Sequence, residues 1–78
     1  MKLELSDRAM RDYLSLPENI KKAARKLFDF LINDLRHPSL HAKKYDEAQD
    51  VWQGRITQAY RFYFRVRKDT YQIISIIK

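Results

Sequence analysis

The fold of this chain is decided by residues 58–66, which read QAYRFYFRV. Two kinds of side chain alternate there: one set is Tyr60, Phe62, Phe64 and Val66, and the other is Ala59, Arg61, Tyr63 and Arg65. Successive side chains of a β-strand point to opposite faces of the sheet. The stretch therefore predicts a strand with an apolar face toward the core and an arginine- and tyrosine-rich face toward solvent.

Strands are predicted on both sides of this stretch. Val51–Ile56 alternates in the same way, with Trp52 on the core side and Arg55 on the other. After a polar turn, Thr70–Ile77 is apolar on both faces, which is typical of a strand in the centre of a sheet. His41–Tyr45 is a candidate short strand before a polar stretch.

The first half of the chain predicts one short strand and two helices. Lys2–Leu5 is the strand, and Ser6 can cap a helix that runs to about Leu16. Pro17 suits the first turn of a second helix, which should end near residues 36–37 because Pro38 forbids its continuation. Eight apolar residues form a stripe with the helical period: Ile20, Ala23, Ala24, Leu27, Phe28, Leu31, Ile32 and Leu35.

These elements predict an α+β fold and a single domain over residues 1–78. An N-terminal strand is followed by a two-helix hairpin, which would pack on one face of a mainly antiparallel, twisted sheet of three to four strands. With no cysteine, the fold depends on packing rather than on disulfides. No apolar run is long enough to span a bilayer, and the N-terminus lacks signal-peptide character, so we expect a cytoplasmic protein.

Charge gives the first indication of function. The chain has a net charge of +6 and a pI near 9.8, and the basic excess is larger in residues 37–78 than in residues 1–36. The predicted outer face of the sheet carries Arg55, Arg61, Tyr63 and Arg65, with Lys43 or Lys44 nearby. Arginine binds phosphate and tyrosine stacks on unpaired bases, so this face suits RNA. The alternative is that these side chains only solvate the sheet.

Common enzyme motifs are absent from the sequence. Gly54 is the only glycine, so a glycine-rich phosphate loop cannot form. Pro38 lies between His37 and His41, which rules out a shared helical face for zinc. The serines lack a histidine–carboxylate pair. We therefore expect no metal and no cofactor, and any chemistry would use lysine, arginine and tyrosine.

Several segments, in order along the chain, resemble the RelE/ParE toxin superfamily. They are Leu5-Ser6 through Leu16-Pro17-Glu18, His37-Pro38-Ser39-Leu40, Lys43-Lys44, Val51-Trp52-Gln53-Gly54-Arg55-Ile56, Tyr60-Arg61-Phe62 and Tyr71-Gln72-Ile73-Ile74-Ser75-Ile76. The resemblance covers nearly the whole chain, and the tyrosine-arginine-aromatic strand is its most specific part.

The resemblance implies the toxin of a toxin–antitoxin system, with a cognate antitoxin, the ribosome and messenger RNA as partners. RelE-like members cleave messenger RNA in the ribosomal A site without a metal, by attack of a ribose 2′-hydroxyl on the neighbouring phosphate. Arg61 matches the catalytic strand arginine of that family, and Lys43 and Lys44 lie in the region that supplies its catalytic lysines. The side chains expected to bind RNA are Arg55, Tyr63, Arg65 and Lys78.

Other functions remain open on the sequence. RelE-like toxins usually continue into a tail with further catalytic groups, whereas this chain stops at Lys78. Either the chain is shortened, naturally or by truncation, or those roles fall to Tyr63 and Lys78. One alternative is a ParE-like inhibitor of DNA gyrase. Another is a catalytically inactive module with the same fold that binds an antitoxin or nucleic acid. The basic residues favour the nuclease, and the missing tail favours the inactive module.

Overall fold

The computed structural model describes all residues from Met1 to Lys78. In chain order, the elements are β1 Lys2–Leu5, α1 Asp7–Leu14, α2 Glu18–Asn33, a 3₁₀ turn Pro38–Leu40, β2 Lys43–Asp46, β3 Val51–Arg55, β4 Arg61–Arg67 and β5 Thr70–Ile77. This is the predicted α+β order of a strand, two helices and then a run of strands. No helix combines the length and the apolar character needed to cross a bilayer.

All the strands join one sheet in the order β1-β5-β4-β3-β2. The neighbours from β2 to β5 are antiparallel, whereas β1 runs parallel to β5. The sheet thus has five strands rather than the three to four predicted. Both edge strands were among the predicted elements: β1 has the predicted bounds Lys2–Leu5, and β2 spans Lys43–Asp46, where His41–Tyr45 was the candidate strand.

Helix α1 contacts the part of β5 that lies beyond the end of its pairing with β1. Ser6 caps the helix as predicted, because its Oγ accepts a hydrogen bond from the Ala9 N–H at 3.0 Å. The same hydroxyl donates to the carbonyl oxygen of Ile74 at 2.8 Å, and the Asp12 carboxylate accepts from the Ile76 N–H at 3.0 Å. These bonds occupy backbone groups of β5 that β1 does not reach, and they join α1 to the sheet.

The helices differ from the prediction mainly at their ends. Helix α1 stops at Leu14 instead of Leu16, and Pro17 is the N-cap of α2 rather than part of its first turn. Helix α2 ends at Asn33, three residues before the expected limit. There Asp34 adopts an extended backbone and its Oδ1 accepts the Arg36 N–H at 3.0 Å, so a local side-chain bond replaces the next helical turn.

The core lies between the helices and the even-numbered face of β4, as the alternation predicts. Phe62 and Phe64 are completely buried, and Phe28 of α2 packs edge-on against Phe62 with ring centroids 5.2 Å apart. Opposite Phe62 on β3 is Gly54, which is also buried. The Phe62 ring occupies the space that a side chain at Gly54 would need.

Candidate nucleic-acid interface

The side of the sheet that faces away from the helices carries the odd-numbered side chains of β4. Arg61 is exposed, and Tyr63 and Arg65 are half-buried. On β3, Arg55 lies directly opposite Arg61, and Gln53 lies opposite Tyr63. This outer face is therefore built by strand alternation, and the rigid sheet fixes where each side chain begins.

Three cations of this face line one cleft, and we call Lys43, Arg55 and Arg61 the cation cluster. The cleft has a volume of about 370 Å³, and its other lining residues are His41, Ala42 and Gln53. The strand pairings bring the cluster together: Lys43 lies opposite Gln53 on β3, and Arg55 lies opposite Arg61 on β4. None of the three cations forms an ion pair with a carboxylate.

The arrangement of Arg55 and Arg61 is unfavourable for the fold by itself. Like charges directly opposite each other in an antiparallel sheet are destabilising. Here no aspartate or glutamate neutralises them. A phosphate group would relieve the repulsion, because it can accept bidentate hydrogen bonds from guanidinium groups. The cleft thus offers cationic donors that no carboxylate of the chain occupies.

Lys44 lies outside the cation cluster. It pairs with Trp52 and shares that residue's side of the sheet, with its ammonium nitrogen 5.1 Å from the indole centroid. The Nζ is 2.6 Å from Asp50 Oδ1 and 3.9 Å from Glu47 Oε2. The hydrogen bond to Asp50 raises the pKa of Lys44, whereas a catalytic base would need a lowered pKa. Lys44 thus has a structural environment, although it is adjacent in sequence to Lys43.

Two other expected RNA contacts also lie away from the cluster. Arg65 Nε donates to the carbonyl oxygen of Gln49 at 3.3 Å, which ties the guanidinium to the loop between β2 and β3. Lys78 follows the end of β5 and places its Nζ 5.8 Å from the centroid of Tyr60. Of the predicted site residues, the structure brings together Lys43, Arg55 and Arg61.

His41 is a cleft residue that the sequence reasoning missed. It ends the 3₁₀ turn with a left-handed backbone, at φ 46° and ψ 41°, which is uncommon for a residue other than glycine. Two turn residues, Asp50 and Lys68, also have a positive φ, so this conformation reflects the change of chain direction after the 3₁₀ turn. From the sequence, His41 was a candidate only for a zinc site. His41 reaches the cleft through the turn that precedes β2 and not through strand alternation, so the sequence pattern carried no signal for it.

Comparison of the structure with solved structures identifies its fold. The YoeB/ParE toxin from Agrobacterium tumefaciens superposes with a TM-score of 0.83 at 18% identity, over 99% of this chain and 96% of that one. For the archaeal RelE–RelB complex from Pyrococcus horikoshii OT3, the TM-score is 0.82 at 15% identity, covering 97% and 91%. For the YoeB–YefM toxin–antitoxin complex from Staphylococcus aureus, it is 0.81 at 17% identity, covering 100% and 95%.

The superpositions define the class of fold: an α+β toxin fold, shared over nearly the full length of each chain. More particularly, it is the fold of the RelE and YoeB toxins, and the resemblance read from the sequence extends to the three-dimensional structure. No protein-family model and no curated protein matches the chain by sequence.

Proposed function

We propose that this chain is a toxin that cleaves ribosome-bound messenger RNA without a metal, and that the cation cluster binds the scissile phosphate. The observation that carries the proposal is the direct opposition of Arg55 and Arg61 in a cleft that also holds Lys43. The opposed arginines are slightly unfavourable for the fold, and all three unpaired cations are available to a phosphate ligand. The fold shared with RelE and YoeB supports the same reading.

In the proposed reaction, the ribose 2′-oxygen attacks the adjacent phosphorus and the bond to the 5′-oxygen of the next nucleotide breaks. The products are a 2′,3′-cyclic phosphate and a 5′-hydroxyl end. The cation cluster would stabilise the extra negative charge of the phosphorane, as oxyanion-hole donors do in acyl transfer. His41 is the lining residue whose side-chain type most often moves protons near neutral pH, so we assign it removal of the 2′-hydroxyl proton. The leaving 5′-oxygen takes its proton from solvent.

The decisive experiment compares two adjacent lysines. In cells that translate a reporter message, the wild-type protein should cut within codons, and the cuts are mapped by primer extension. Removal of one preorganised charge-stabilising group typically costs about 100-fold to 1,000-fold in rate. We expect that loss for Lys43→Ala and Arg61→Ala. Lys44→Ala is the matched control and should keep cleavage, because Lys44 lies on the other side of β2.

The other functions open on the sequence give different results in the same cells. Growth arrest with an intact message and damaged DNA would indicate gyrase inhibition and would contradict the nuclease proposal. Normal growth with an intact message would indicate an inactive module. Equal cleavage by Lys43→Ala and the wild type would support the nuclease activity but would show that the cation cluster is not its site. The proposed activity requires the cytoplasm, where ribosomes translate.

We also propose an antitoxin as the protein partner of this chain. Neighbouring folds were solved as YoeB–YefM and RelE–RelB complexes, and the net charge of +6 favours an acidic partner. The basic outer face is one candidate docking surface. The helical hairpin is the other, since Met10 and Leu14 of α1 are 45% and 62% exposed. A short acidic protein encoded beside this one should abolish toxicity and raise the melting temperature by binding the folded state.

A further inference from the structure

A second concavity lies on the outer face of the sheet, and we call it the tyrosine groove. It has a volume of about 330 Å³, and the residues that matter here are Tyr45, Tyr63, Val51, Ile74 and Ile77. The rings of Tyr45 and Tyr63 meet at 63° with centroids 4.8 Å apart. Tyr45 is 62% exposed, so much of its ring surface is free for another group.

Both irregularities of the sheet occur at this groove. The register between β2 and β3 shifts between Lys44 and Asp46, which leaves Tyr45 without a paired residue. The register between β4 and β5 shifts beside Tyr63, which leaves Ile74 unpaired. β-Bulges are over-represented next to active sites, where they redirect a side chain. Here the two bulged residues, Tyr45 and Ile74, both line the groove.

The tyrosine groove adjoins the cleft of the cation cluster. Tyr63 follows Arg61 by two residues on the same face of β4, a separation of about 6.6 Å along the strand. Tyr63 also pairs with Gln53, which lines the cation cleft. When Arg61 binds the phosphate between two nucleotides, the base of one of them is therefore within reach of the tyrosine rings.

The chemistry of the groove fits a base better than a peptide segment. Its lining includes Val51, Ile74 and Ile77 and two aromatic rings, and aromatic rings stack on any nucleobase. Asp46, Gln49 and Arg65 also line the groove, and their remaining polar groups can meet the edge of a base. A volume of about 330 Å³ is at the lower end of the range for ligand sites, suited to one ring system.

We propose that the tyrosine groove is a nucleobase subsite, which holds the base next to the phosphate bound by the cation cluster. The inference rests on the proposed function, because it takes the ligand of the cation cluster to be single-stranded RNA. Base binding would fix the ribose beside Arg61 and so orient its 2′-hydroxyl. The base is held mainly by stacking, and the polar lining residues would give a preference among bases.

The test measures binding without cleavage. The probe is a fluorescent RNA pentanucleotide with 2′-O-methyl groups throughout, and its partner probe lacks the bases on either side of the central phosphate. Stacking of one base contributes a factor of roughly 5-fold to 150-fold in affinity. By fluorescence anisotropy in 50 mM salt, Tyr45→Ala should weaken binding of the complete probe by such a factor. Tyr45→Phe should bind it like the wild type.

The partner probe distinguishes stacking from other effects. Wild type and Tyr45→Ala should bind the probe without central bases equally, whereas Arg61→Ala should weaken binding of both probes. Tyr45 is mostly exposed, so its removal leaves the core intact, and melting temperatures check this. Equal binding of the complete probe by Tyr45→Ala and wild type overturns the inference, as does no binding by the wild type.

Failure of the proposed function gives a different pattern. If Tyr45→Ala shows the base-dependent loss but the wild type cuts no translated message, the nucleobase subsite stands and the nuclease activity falls. If Tyr45→Ala weakens binding of an acidic antitoxin peptide but leaves RNA binding unchanged, the groove binds the protein partner and the inference is wrong.

Discussion

Replacement of Gly54 by alanine should destabilise this protein strongly, although alanine is the smallest possible side chain to add. Gly54 does not have a positive φ, so backbone conformation is not the reason for glycine here. The reason is space. A Cβ at this position would lie 2.6 Å from Cε1 and 3.0 Å from Cε2 of Phe62. Carbon atoms in contact are normally about 3.5–4.0 Å apart, so the ring would have to move by about 1 Å.

The Phe62 ring has little room for such a movement. It is completely buried, with Phe28 edge-on at 5.2 Å and Phe64 stacked at 5.4 Å between ring centroids. Overpacking of a close-packed core costs about 1–3 kcal/mol. For a domain of this size that is a fall of roughly 4–24 °C in melting temperature.

Thermal unfolding followed by circular dichroism measures the effect of Gly54→Ala. Gln53→Ala is the matched control, because its side chain lies on the outer face of the same strand and its removal should change stability by only about 0.5 kcal/mol. In the double variant with Phe62→Leu, the shorter side chain makes room, so the combined loss should be smaller than the sum of the single losses. A melting temperature for Gly54→Ala within 2 °C or so of the wild type would refute the reasoning.

Four further results are expected. Ser6→Ala removes both the α1 cap and the bond to β5, and should cost about 1–2 kcal/mol in urea denaturation. Arg61→Gln should melt at or slightly above the wild-type temperature, because it relieves the repulsion with the opposite arginine. The hydrogen bond from Lys44 lowers the pKa of Asp50 below its ordinary 3.8. Asp50→Asn should therefore be less stable than the wild type at pH 7, and this difference should disappear as the pH falls below 3.8. Burial raises the pKa of Tyr71 above 10.0, so stability should fall from pH 10.0 upward, and Tyr71→Phe should remove that fall in denaturation at pH 9 and 11.

The fold could be predicted from the sequence where a pattern was long and uninterrupted. Thr70–Ile77 has the predicted bounds because a polar turn precedes a continuous apolar run. The end of α2 could not be predicted in this way, because Asp34 bonds its own neighbouring backbone and stops the helix before Pro38. The parallel pairing of β1 with β5 is a contact between the two ends of the chain, for which a local pattern carries no signal.

The residue types of the candidate site could be predicted from the sequence, but which of those residues meet in one cleft could not. Lys43 and Lys44 are the same residue type at adjacent positions, and only the pairing of β2 with β3 shows which of them lies on the outer face. The tie between Arg65 and the Gln49 carbonyl is also a contact between strand and loop that the sequence does not contain. Tyr45 escaped attention because it sits at a bulge, and a bulge interrupts the alternation by which outer-face residues are recognised.

One pairing register fixes both the core and the cation cluster. The aromatic packing of Phe62 over Gly54 is possible only when these two residues are opposite each other, and the next pair along β3 and β4 is then Arg55 with Arg61. A slip of one residue would turn every side chain of a strand to the other face, with arginine toward the core. The core therefore holds together two cations that would separate if the register were free. Phe62, on the opposite side of the sheet, thus keeps the two arginines opposite each other despite their repulsion.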